Sequence, residues 1–141
     1  MGKARESELI GEIVMIDPRV APPAKLREVC EVIAVSLDGG FVQVRYNDGT
    51  VTQFRKDQLV MLYPKAVILQ SLVSNWKLST KDCRAVLGVI RLIQDRKLAE
   101  ALLLATRNET TKFFCVTNGS QWLDMQQQYR SNISRKGKNI R

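Results

Sequence analysis

The sequence predicts an α+β protein: a small N-terminal β-barrel, then a mainly helical region with one short strand, then a basic tail. Three observations lead there. Up to residue 63, apolar residues recur with a period of two between tight-turn residues. After Pro64 they recur at spacings of three and four, and beyond residue 129 the periodicity stops while basic residues continue.

Residues 41–59, FVQVRYNDGTVTQFRKDQL, state their local structure most clearly. Val42, Val44 and Tyr46 alternate with Gln43 and Arg45, as in a half-buried strand. Asn47-Asp48-Gly49 accepts positive φ, and Thr50, Val51, Thr52 and Phe54 carry a return strand. Earlier, residues 1–9 read as a flexible N-terminus. Ile13, Val14 and Ile16 mark a first strand over 10–16, closed by Asp17-Pro18. RVAPPAKLRE reads as a long loop, because Pro22-Pro23 cannot donate to a ladder. A second strand spans 29–37, turned by Asp38-Gly39-Gly40, and Val60-Met61-Leu62 forms a last short one. Several short strands in about sixty residues predict a barrel over 10–63 rather than an open sheet, since closure removes exposed edges.

In the second half, Pro64 suits a first helical position, and Leu69, Leu72, Val73 and Trp76 define an amphipathic helix over 65–76. Ser79 is the expected N-cap of a second helix, with Asp82 in the reciprocal position. That helix carries Val86, Leu87, Ile90 and Ile93, and polar Gln94-Asp95-Arg96-Lys97 breaks it before Leu98, Ala101, Leu102 and Ala105. TKFFCVT, residues 111–117, reads as a buried strand stopped by Asn118-Gly119. Trp122, Leu123 and Met125 open a last helix that runs to Tyr129. The helical region is thus 64–129, and 130–141 is a basic tail expected to be disordered.

VQVRYNDGTVTQFRKDQLV resembles the central hairpin of the Tudor and KOW group of SH3-like barrels. In that group a strand, a Tyr-x-Asp-Gly type turn, a return strand and an Asp-x-Leu turn follow in this order. GEIVMID is similar to their first strand, so the resemblance covers residues 10–62. It implies an SH3-like barrel that binds RNA or protein in the KOW manner, or a methylated cation in an aromatic cage in the Tudor manner. The aromatic ligand contacts it offers here are Phe41, Tyr46 and Phe54. If Val42, Val44 and Tyr46 share the inward face, however, Tyr46 is core rather than cage.

The chain has 141 residues and no histidine, so neither a Ser-His-Asp nor a Cys-His nucleophile can be built, nor a histidine metal site. Cys30, Cys83 and Cys115 are far apart, with no C-x-x-C pair, and each is expected in a core as a small apolar residue. No cofactor, metal or enzymatic activity is expected. No apolar run approaches the roughly 18–20 residues of a membrane span, and the N-terminus lacks the apolar core of a secretory signal. An intracellular location, cytoplasmic or nuclear, is therefore expected.

Charge divides unevenly. Residues 1–63 carry eight Lys and Arg against nine Asp and Glu, net −1, whereas 64–141 carry fourteen against five, net +9, which together give the chain's +8. Lys77, Lys81, Arg84 and Arg91 lie on or beside the second helix, and Arg130, Arg135, Lys136, Lys138 and Arg141 lie in the tail. These nine are the candidate nucleic-acid-binding residues, through phosphate contacts that release counterions. The expected function is a nucleic-acid-associated binding protein, for DNA or RNA, with the barrel as scaffold or second contact. The alternative is a protein-interaction module or oligomeric assembly factor using the barrel and the apolar helices. A recognition helix in a DNA groove is disfavoured, because the second helix is apolar around most of its circumference.

Overall fold

The computed structural model describes residues 6–74 and 77–128. It is a mixed α+β fold in which one six-stranded antiparallel sheet is covered by helices. The strands are β1 (Ile13–Ile16), β2 (Val29–Val35), β3 (Phe41–Tyr46), β4 (Val51–Arg55), β5 (Leu59–Leu62) and β6 (Val116–Asn118), in the order β4-β3-β2-β1-β5-β6. The helices are α1 (Lys65–Ser74), α2 (Thr80–Gln94), α3 (Leu98–Ala105), α4 (Glu109–Cys115) and α5, helical over 119–128.

The hairpin forms as its sequence dictates. Tyr46 and Thr50 close the turn, with the Tyr46 amide donating to the Thr50 carbonyl at 2.9 Å, and Gly49 supplies φ +90°. The Asp48 carboxylate accepts from the Thr50 amide at 2.9 Å, which satisfies a donor the turn would otherwise leave open. The register pairs Val42 with Phe54 and Val44 with Thr52, so Val42, Val44, Tyr46 and Phe54 are buried together.

The sheet is open, which corrects the expectation of a closed barrel. A five-stranded closure would join β4 to β5, but the free edge of β5 is taken by β6: Met61 pairs with Thr117 and Leu62 with Val116. A strand from the helical half therefore satisfies that edge. β4 remains an edge, and its exposed Gln53 and Arg55 blunt it against pairing with other chains.

A second correction concerns residues 111–117. Most of this stretch is α4, and only Val116–Asn118 is strand. Asn108 decides the matter by capping, because its side chain accepts from the Thr111 amide at 2.9 Å and starts a helix that the β-prone Thr, Phe and Val composition would not. The long proline loop also has structure, a 3-10 turn over Pro23–Lys25. Ser79 caps α2 as expected, accepting from the Asp82 amide at 3.1 Å. The chain breaks at the expected polar stretch, where Arg96 adopts φ +61°. The expected end of α1 at Trp76 lies outside the described residues, as do 1–5 and 129–141.

Two cores lie on the sheet. One collects Leu9, Val14, Ile16, Val32, Val44, Tyr46, Phe54, Leu59 and Met61 under Trp122 and Leu123 of α5. The other joins Ile68 of α1, Val86, Val89 and Ile90 of α2, Ala101 and Ala105 of α3, and Phe114 and Cys115 of α4. Arg27 ties the proline loop to the helices. Its guanidinium donates to the carbonyls of Leu103 and Thr106, each at 3.1 Å, at the carbonyl-rich end of α3. No helix among the described residues is long and apolar enough to cross a membrane.

The start of α5 lies against the turn between β4 and β5, where a Cβ on Gly119 would overlap the carbonyl oxygen of Lys56. Gly119→Ala is expected to lower stability by about 1–3 kcal/mol, as an overpacked site does. A urea midpoint unchanged from the parent would show that α5 is free to move away from the sheet.

Candidate nucleic-acid interface

α2 separates its faces more sharply than its sequence suggests. Val86, Val89 and Ile90 are buried, while Lys81, Arg84 and Arg91 are exposed on the outer side. Leu87 among them is 46% exposed, so the apolar run does not mean burial all round. At 1.5 Å of rise per residue, Lys81, Arg84 and Arg91 span about 15 Å along one side of the helix. Lys77 is exposed in the turn that precedes α2. All four are exposed on or just before α2. Arg130, Arg135, Lys136, Lys138 and Arg141 lie outside the described residues.

Partners distinguish the two halves further. In the sheet half, Arg19 pairs with Asp17, Lys25 with Asp48 and Glu28, Arg45 with Glu31, Arg55 with Asp57 and Lys56 with Glu6. The remaining described cation there, Arg27, is engaged by the α3 carbonyls. In contrast, the side chains of Lys81, Arg84 and Arg91 make no hydrogen bond or ion pair among the described residues. Residues 64–128 hold nine Lys and Arg against five Asp and Glu, so this half carries an excess of positive charge. Counting charges by segment could find this excess. It could not separate paired from unpaired cations, which depends on which carboxylates the fold places nearby.

The aromatic residues of the hairpin do not converge. Tyr46 and Phe54 are buried in the sheet core, whereas Phe41 sits on the opposite face of β3 and is exposed. The Tyr46 ring is also covered in cis, because Lys25 Nζ lies 4.9 Å from its centroid while bonding Asp48. Burial pushes the Tyr46 hydroxyl up to about 12. Asp48 is held well below the usual carboxylate range, first by the Lys25 hydrogen bond and then by the Thr50 amide. The chain's own lysine thus occupies the cation position above Tyr46.

The chain matches no family model, no curated protein and no solved structure. Burial pushes the thiols of Cys30 and Cys115 up to about 12, and Cys83, in the first turn of α2, is the partly exposed one. No group of three or more Cys, Asp or Glu suited to a metal ion occurs among the described residues.

At about pH 8, an aromatic disulfide reagent is expected to titrate Cys83 rapidly, with Cys30 and Cys115 reacting only at the rate of unfolding. Fast reaction of all three thiols would show that the two cores open readily.

Proposed function

We propose that the protein is a non-enzymatic nucleic-acid-binding protein that grips the phosphate backbone of DNA or RNA. The contacts come from Lys77, Lys81, Arg84 and Arg91, extended by the basic tail. The observation that carries this is the pairing difference: among the described residues the side chains of Lys81, Arg84 and Arg91 have no carboxylate partner, whereas Arg19, Lys25, Arg45, Arg55 and Lys56 of the sheet half each have one. A cation free of a protein partner can release condensed counterions on meeting a phosphate without first breaking an ion pair. Contact with phosphate is independent of sequence, and Leu87 in the middle of the stripe offers no hydrogen bond to a base edge.

The sheet serves as the scaffold in this proposal, and we read residues 13–62 as an SH3-like meander. Support comes from the order β4-β3-β2-β1-β5 and from the 3-10 turn, Lys56–Gln58, between β4 and β5. An intracellular setting is consistent with three cysteines that form no disulfide.

One observation favours a second reading, as a protein-interaction module. Phe113 of α4 is 78% exposed beside an open groove of about 810 Å³, lined by Val67, Val116 and Met125.

For duplex DNA, the slope of log affinity against log salt is expected to fall by about 0.9 for each phosphate contact removed. Arg84→Gln with Arg91→Gln should therefore reduce that slope by about 1.8, equally across unrelated sequences. Binding with an unchanged slope would remove α2 from the interface. No binding by the parent chain at low salt would overturn the proposal and favour the interaction module.

A further inference from the structure

Away from the basic face, a cleft of about 440 Å³ lies where the sheet meets the helices. Its walls come from distant parts of the sequence: Glu8 and Glu12 before β1, Tyr63 and Lys65 after β5, and Trp122 and Gln126 of α5. Glu12 is the unusual member. It is only partly accessible, and its carboxylate makes no hydrogen bond or ion pair among the described residues. Burial alone pushes its pKa above the ordinary carboxyl value. A desolvated carboxylate without a partner costs folding free energy, and such groups in clefts are where ligands bind.

The lining defines the ligand chemistry. A carboxylate supplies the countercharge, and Tyr63 and Trp122 supply aromatic surface that attracts a cation and an apolar stem. Glu8 and Glu12 outnumber Lys65, the one basic residue in the lining, so the cleft favours a cation over a phosphate. We propose that this cleft binds one cationic group on an apolar stem, a guanidinium or alkylammonium, with Glu12 as its counterion. The site is separate from the α2 face and does not depend on nucleic-acid binding. It is also a different site from the Tyr46 position, which Lys25 already fills.

The test is a titration of the full chain, following the indole N–H of Trp122 by NMR. The probes are N-acetyl-arginine methylamide, n-butylguanidinium and the neutral N-acetyl-norleucine methylamide. Both cations are expected to bind and the neutral probe not. Tighter binding of the arginine derivative would assign the source to a polypeptide side chain, and equal binding to a free alkyl cation. Glu12→Gln is expected to weaken both cations by about tenfold or more, the loss of one charge-assisted contact.

The same substitution should raise the urea midpoint at neutral pH. Because the carboxyl pKa is raised in the folded state, its protonated form contributes stability that is lost as pH rises through the raised value. A residue that merely held the fold together would show the opposite change. In the parent chain, cation affinity should fall as Glu12 protonates on acidification, with Glu8, Lys65 and Tyr63 the other titratable groups around the cleft. Equal binding of the neutral probe, undiminished cation binding by Glu12→Gln, or a lowered midpoint for that variant would each overturn the proposal.

Discussion

β1 is buried on both of its faces, and the rest of the molecule follows from that constraint. Val14 and Ile16 point into the core that α5 covers, while Met15 between them is buried on the other side, 3.6 Å from the Thr106 hydroxyl at the end of α3. A strand in the middle of a sheet with apolar residues on both sides must have cover on both sides. Among its described residues the sheet half has no helix to supply it beyond short 3-10 turns. The helical half therefore covers the sheet, with Trp122 and Leu123 on one face and α3 on the other. Full burial of a side chain such as Leu123 stabilises by about 2 kcal/mol, which is large beside the net stability of a small domain.

β6 extends the same dependence to the backbone. Without it, the outer edge of β5 would have open donors and acceptors next to a buried core. Three residues at the end of α4 satisfy that edge, and the amide of Tyr63 continues the connection by donating to the Cys115 carbonyl at 2.8 Å. The two halves thus share a sheet, a core and a hydrogen-bonded edge. The cleft beside Glu12 exists because of this sharing, since its walls come from both halves.

Electrostatics divides the molecule where packing unites it. Cations of the sheet half lie among carboxylates from neighbouring strands and turns, as Arg45 does across from Glu31. Each such exposed pair is worth little in stability, because solvent screens it, but it cancels field. Among the described residues no carboxylate forms an ion pair with Lys81, Arg84 or Arg91, so the outer side of α2 keeps its charge. The molecule is polarised both by the larger number of cations in the helical half and by where the carboxylates sit.

Local chemistry was readable from the chain alone wherever neighbours in sequence decide the outcome. The Asn47-Asp48-Gly49 turn, the Ser79 cap, the polar break at residues 94–97 and the alternation that buries Val42, Val44 and Tyr46 all depend on a few adjacent residues. Residues 111–117 show the limit: the apolar run is consistent with strand or buried helix, and one hydrogen bond from the Asn108 cap selects helix. The charged face of α2 was legible as a spacing of basic residues, and its lack of partners was not. Which strand completes β5, what covers each face of β1, and which residues surround Glu12 were settled only by tertiary structure. Those outcomes are contacts between segments tens of residues apart, and periodicity in sequence carries no information about which distant surface will supply the missing partner.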